Sequence, residues 1–253
     1  MILLVDIGNS RMKWAWLVDG VVQDSQAVDC EDLTPAKLAN KAWEKLEGIP
    51  ERVMIASVAA AKLNKGIVAW MSRHWKVKAD MVKSQAEFSG VQNAYLEPAL
   101  LGVDRWSTLL AARSITGGAA CIIDCGSAIT IDVLSACGEH LGGLIAPGLT
   151  TMTRCLVDKT EAIAAMKESS GEVSLLARDT YAAVHVGSLY AVVALIDRVI
   201  SDLRLELRGG FRIFITGGEA KKLMPLLDDR STFEPDLVLK GLACILAEEK
   251  NQK

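Results

Sequence analysis

One segment occurs twice in this chain of 253 residues, and the repetition limits the possible folds more than any other feature. Val5-Asp-Ile-Gly-Asn-Ser10 ends an apolar run in a carboxylate, a glycine and small polar residues, with Lys13 three residues on. Ile123-Asp-Cys-Gly-Ser-Ala128 repeats the pattern, and Asp124 stands 118 residues beyond Asp6, close to half the chain. A strand that stops in acid, glycine and hydroxyl builds a turn suited to phosphate and metal. The length suffices for one large unit or two small ones, and the repeat favours two, residues 1–117 and 118–253.

Element order supports the duplication. Residues 2–6, 12–18 and 21–28 read as strands, and the two-residue gap Asp19-Gly20 predicts an antiparallel hairpin between the second and third. Residues 35–47 carry apolar side chains at helical spacing, residues 52–58 return to strand, and residues 60–74 put Leu63, Ile67, Trp70 and Met71 on one helix face. Residues 76–103 show no period and read as a loop region over a pocket. Residues 104–115 are helical again, with Asp104 at an N-cap or first-turn position and Gly117-Gly118 closing the helix. The second half restarts with strands at 120–124, 130–134 and 141–145. A helix at 180–207, a strand at 212–216 and helices at 219–227 and 237–248 follow. This is mixed α/β order. It differs from the βαβ alternation of dinucleotide-binding folds, and no GxGxxG follows the first strand.

Charge and composition narrow the function. A net charge of -3 gives no sequence-wide basic footprint for nucleic acid, although a near-neutral total leaves room for a local patch. Six cysteines show no CxxC pair or metal-ligand spacing and read mostly as small buried hydrophobes. His74, His140 and His185 lie on separate segments without ligand spacing. Trp14, Trp16, Trp70 and Trp75 read as packing, and Lys62, Lys65, Arg73, Lys76 and Lys78 as a solvated face. The N-terminus starts directly on a strand, without the basic start and cleavage site of a signal peptide, so the expected compartment is the cytoplasm. His185, Ser188 and Asp197 interrupt the apolar stretch 181–200, which favours a buried helix over a membrane span.

In the first segment Gly8 can take positive φ and admit a ligand, Asn9 and Ser10 can donate hydrogen bonds, and Lys13 offers charge to phosphate oxygens. Asp6 would hold magnesium directly or through water. Alone, the stretch is equally well a plain hairpin. Asp124, Gly126, Ser127 and Thr130 in the second copy favour a grip on a polyphosphate.

Five blocks run in order across nearly the whole chain: Asp6 to Lys13, Leu101-Gly-Val-Asp-Arg105, residues 123–130, Gly142-Gly-Leu-Ile-Ala-Pro-Gly148 and Thr216-Gly-Gly218. Together they resemble the type III pantothenate kinases, within the acetate and sugar kinase, Hsp70 and actin superfamily. The resemblance implies an α/β fold of two similar ribonuclease H-like domains, the actin-like ATPase duplication. Mixed sheets would be flanked by helices, with ATP in the cleft between the domains. It implies that Asp6, Ile7, Gly8, Asn9, Ser10, Arg11, Met12 and Lys13 form the first ATP phosphate segment and that Ser127 belongs to the second. The family usually has threonine at positions 10 and 127; serine keeps the hydroxyl. Asp124 is similar to the family's ligand for a monovalent cation, potassium or ammonium, which would resolve a carboxylate beside a phosphate site.

On the acceptor side, Asp104 resembles the general base that takes the proton from the pantothenate hydroxyl. Tyr95, Gly102, Val103 and Arg105 resemble substrate-binding positions, Arg105 for the carboxylate, and Thr180 resembles a threonine supplied by the neighbouring subunit of a homodimer. Local alternatives stay open: Asp104 as a helix N-cap, Arg105 in a structural ion pair, Tyr95 in packing, Thr180 as a cap, and helix 180–207 as an internal core helix instead of a dimer seam. The expected function is phosphorylation of pantothenate by ATP with magnesium and a monovalent cation, without nucleic acid or membrane. The rivals are a kinase of another small acceptor and an ATP-binding transcriptional accessory factor without turnover.

Overall fold

The apolar run ending in Asp6 is the central strand, β1 (Ile2–Ile7), of a five-stranded sheet. Leu3, Val5 and Ile7 point to one face and Leu4 to the other, and all four are fully buried, as in a strand covered on both sides. The computed structural model describes residues 1–159, 176–207, 210–228 and 230–251. Two units emerge: Met1–Ala119 with Leu134–Gly142 and Asp236–Lys253, and Ala120–Val133 with Gly143–Pro235.

In the first unit β2 (Arg11–Val18) runs antiparallel to β1, and β3 (Val21–Asp29) antiparallel to β2. Their turn has φ of 49° at Asp19 and 81° at Gly20, the two left-handed residues that a tight hairpin needs. β4 (Arg52–Ser57) is parallel to β1 and β5 (Ala79–Met81) parallel to β4, so the order is β3-β2-β1-β4-β5. One face packs on α1 (Pro35–Trp43) and α2 (Ala61–His74), where Leu38, Trp43, Ile67 and Met71 join Leu3, Val5 and Ile7. The tryptophans do pack: Trp43 lies 5.7 Å from Trp70 and 5.3 Å from Trp75, and Trp70 Nε1 donates to Asn40 Oδ1 at 2.7 Å.

Within 76–103, expected to be irregular, β5 extends the sheet. β6 (Glu87–Phe88) and β7 (Val91–Gln92) form a small hairpin, and Pro98–Leu100 is a 3₁₀ turn. Elements of two or three residues carry no readable period, and only pairing makes them strands. Helix α1 stops at Trp43, short of residue 47; the chain turns, and Gly48 takes φ of 86°. Helix α3 (Val103–Thr116) closes on left-handed Gly117 as expected.

The second sheet repeats the first. It contains β8 (Ala120–Cys125), β9 (Ala128–Leu134), β10 (His140–Pro147), β11 (Arg212–Thr216) and β12 (Thr232–Phe233), in the order β10-β9-β8-β11-β12. Asp6 and Asp124 are each the fifth residue of the central strand, and each faces a parallel neighbour, Ala56 on β4 and Thr216 on β11. Helices α4 (Leu149–Lys159) and α5 (Thr180–Glu206) pack together. The short α6 (Ala220–Leu223) runs into a 3₁₀ turn at Met224–Leu226 that contains Pro225, which breaks the expected helix 219–227.

Among the described residues α5 is the one helix long and apolar enough to cross a membrane, by length and composition. Val192, Ile196 and Ile200 bury one face in the core that also holds Cys121, Ile123, Ile213 and Ile215. Tyr190 is 53% exposed, so α5 is not the wholly internal helix of the rival reading. The last helix, α7 (Leu237–Asn251), belongs to the first unit and packs along α3 and β1.

Candidate functional site

The first segment is a hairpin tip whose two faces have different tasks. Asp6 and Lys13 are direct cross-strand partners, so their side chains share one face of the sheet. The neighbouring pair Ile7 and Met12 faces the other way and is fully buried in the core, so those two residues can meet a ligand only through their backbone. Gly8 N–H donates to Arg11 C=O at 2.9 Å and closes the tip, leaving Asn9 and Arg11 exposed. Gly8 is not in the left-handed region; its value is space, because a Cβ there would stand 3.1 Å from Arg11 O. Lys13 Nζ lies 2.8 Å from Asp236 Oδ1, with both side chains about three-quarters buried, at 25% and 20% exposure. Asp236 immediately precedes α7, which brings a carboxylate from the far end of the chain to this lysine.

The second group sits at the start of α3. Asp104 is not the N-cap; Gly102 holds that position without a side-chain cap, and Asp104 Oδ1 accepts from the Arg105 N–H at 2.8 Å. The carboxylate folds over Gly102, where a Cβ would crowd Asp104 Oδ1. Arg105 is only 6% exposed, yet its guanidinium donates to Tyr95 Oη at 2.9 Å and lies 5.7 Å from the ring centre. His140, 3% exposed, stacks on the other partner of this set, with its ring 6.2 Å from that of Tyr95 and tilted by 14°. Val103 is buried. Tyr95, Asp104, Arg105 and His140 thus form a group with one acid, one cation and two rings. His140, like Asp236, carries no signal in the linear sequence, since neither belongs to a motif.

In the second unit the turn after β8 is pressed from two sides. Gly148 N–H and Thr151 Oγ1 both donate to Ser127 C=O, at 2.9 and 2.6 Å, and a Cβ on Gly148 would strike Gly126 O. From the other side Gly217, at φ of 95°, lies so close that a Cβ would strike Cys125 O and Asp124 Oδ1. Gly148 and Gly217 are therefore walls of the 124–127 turn. Burial pushes the Cys125 thiol up to about 12, with the Asp124 and Glu219 charges adding, so it stays neutral and unreactive near pH 7. Cys121, also pushed up to about 12 by burial and then by Asp132, is equally inert. Thr180 is the first residue of α5 and exposed; the capping role belongs to Asp179, whose Oδ1 accepts from Ala182 N–H at 2.8 Å.

Among the described residues no cluster of three or more His, Cys, Asp or Glu side chains forms a ready-made metal cage. A single carboxylate beside a phosphate segment is instead the donor set that suits magnesium, which keeps most of its coordination for water and phosphate oxygens. Asp6, on the sheet face it shares with Lys13, could hold one in that way.

The sequence pattern described as type III pantothenate kinase matches residues 2–202. A protein named type III pantothenate kinase from Nitrosococcus oceani is 45% identical over 248 residues, covering 96% of this chain and 92% of its own. Another of that name, from Nitrosospira multiformis, is 33% identical over 254 residues, covering 98% and 92%. A solved structure from Campylobacter jejuni, described as a Baf family transcriptional activator, superposes with a TM-score of 0.62 at 20% identity, over 98% of this chain and 99% of that one, a likeness of fold. With the motif blocks in order and relatives matched over almost its whole length, the chain belongs to the type III pantothenate kinase family.

Proposed function

We propose that the protein transfers the γ-phosphoryl group of ATP to the primary hydroxyl of pantothenate, giving 4′-phosphopantothenate for coenzyme A synthesis. Relatives of this name match nearly the whole chain, which supports the kinase over a binding-only accessory factor. The observation that carries the acceptor side is the pair at the start of α3. Asp104 is partly exposed, while its neighbour Arg105 is buried and held on Tyr95. An acid and an oriented guanidinium on adjacent residues suit a substrate with a hydroxyl at one end and a carboxylate at the other.

The hydroxyl oxygen forms a bond to the γ-phosphorus while the bond from that phosphorus to the β–γ bridging oxygen breaks, and ADP leaves. Asp104 takes the hydroxyl proton. Arg105 holds the carboxylate, with Tyr95, Gly102 and Val103 shaping the place around it. Asp6 to Lys13 and Ser127 bind the phosphates through hydroxyls, backbone N–H groups and the Lys13 charge. Asp6 would hold magnesium and Asp124 a monovalent cation, potassium or ammonium; when bound, these ions offset charge on the phosphates.

The reading includes two repeats, residues 1–117 and 118–253, supported by the matching strand orders. It also includes a homodimer in which Thr180 reaches the partner's acceptor, supported by its exposed position at the start of a helix with an uncovered apolar face. A cytoplasmic protein without nucleic-acid partners accords with the net charge of -3. One face of α5 is buried in the core, which speaks against a span. The test is ADP release from purified protein with ATP and magnesium. Release should depend on pantothenate and rise with potassium or ammonium over sodium. Equal ADP release with and without pantothenate overturns the acceptor, and indifference to the cation removes Asp124 from its role.

A further inference from the structure

Glu219 follows Thr216-Gly-Gly218 and has no part in the roles above. Its backbone N–H donates to Cys125 C=O at 2.9 Å. Its carboxylate reaches the start of α4: Oε2 accepts from Leu149 N–H and Oε1 from Thr150 N–H, each at 3.1 Å, and the Thr150 hydroxyl also donates to Oε1. These N–H groups have no partners within their own helix, and the helix dipole adds to the attraction, so the contact is a charge-assisted cap supplied from 70 residues away. The first turn of α4 is also the part that holds Ser127, through Gly148 N–H and Thr151 Oγ1. One residue therefore joins three pieces: the turn 124–127, the start of α4 and the Thr216-Gly-Gly218 turn. Neither glycine wall leaves room for slack, since Gly148 and Gly217 lie against the backbone of the turn.

We infer that Glu219 is a positioning residue for ATP. It sets the Asp124 to Ser127 turn by pinning α4 against it. This rests on the reading of Ser127 as a phosphate ligand. Its consequence is selective, falling on ATP and sparing pantothenate.

The test uses full-length protein carrying Glu219→Ala, Glu219→Gln or Glu219→Asp, with ATP and pantothenate varied separately and thermal melting recorded beside the kinetics. Glu219→Ala should raise the KM for ATP about tenfold or more, the scale of a small misplacement at a reacting group. The KM for pantothenate should stay within about twofold. Glu219→Gln keeps an acceptor for one N–H and should fall between Ala and wild type. An unchanged KM for ATP in Glu219→Ala overturns the inference, as does a proportional rise in both KM values together with a lost melting transition in the Gln variant. Where Glu219→Ala does not fold, Glu219→Gln decides alone: a normal melting temperature with a raised KM for ATP supports the role, and a normal KM removes it. Titration with a non-hydrolysable ATP analogue reads the same effect as binding. A wild type that binds the analogue without pantothenate-dependent turnover would thus count against the proposed function while leaving the positioning role testable.

Discussion

Asp104 and Arg105 are consecutive in the chain and serve opposite ends of one proposed substrate, which is possible because the first turn of a helix sends neighbouring side chains in different directions. Arg105 turns inward to Tyr95; Asp104 folds back over Gly102 and stays partly accessible. Asp104→Asn keeps the shape and the acceptor for Arg105 N–H but removes the base. It should lower kcat by roughly 10²- to 10⁴-fold, the usual range for a lost general base. The dissociation constant for ATP should stay near the wild-type value. Full turnover in this variant would take Asp104 out of the mechanism. At this scale the linear sequence supplied the candidate residues, because their types are tied to motif blocks. Their partners were not legible: Lys13 meets Asp236, and Tyr95 meets His140.

Among elements, the contact of α3 with α7 brings the last helix onto the first unit, and it depends on one small residue. A Cβ on Gly241 would overlap the backbone of Ser107. Ser107 itself is fully buried, its hydroxyl turned back to donate to Val103 C=O at 2.7 Å. Since α3 begins at Val103 and α7 begins beside Asp236, a shift of either helix reaches the proposed acceptor and phosphate groups. Gly241→Ala should therefore cost about 1–3 kcal/mol of stability, as overpacking against backbone does. Urea unfolding with an unchanged m-value would show it; a wild-type midpoint would mean that the two helices separate freely. The helical spacing of α2, α3 and α7 was readable because their apolar faces are long. The short β5, the early end of α1 and the division of residues 219–227 were not, because pairing and proline geometry, not period, decide them.

For the whole molecule, the apolar surface of the second unit sets the expectation of a dimer. On α5 one face is buried, while Tyr190 on the same helix and Leu144 and Ile145 on β10 are about half exposed or more. Sedimentation should give twice the chain mass, and Tyr190→Glu should shift the protein toward monomer without loss of helical content. A wild-type monomer at micromolar concentration would remove the dimer, and with it the role of Thr180 toward a partner's substrate. The duplication was legible at this scale too, since Asp6 and Asp124 occupy equivalent places in two sheets of the same strand order.

By itself the sequence determined the repeated strand-and-turn device, the α/β class and the motif blocks that mark the family. These are local features, written in periods of two and 3.6 and in runs of a few residues. Tertiary structure alone decided which charges meet. Arg52 reaches Glu249 across 197 positions, Lys13 reaches Asp236, and Glu219 caps α4 beside the Asp124 turn. Ion pairs and caps join groups by distance in space, and nothing in the spacing of residues along the chain records that distance.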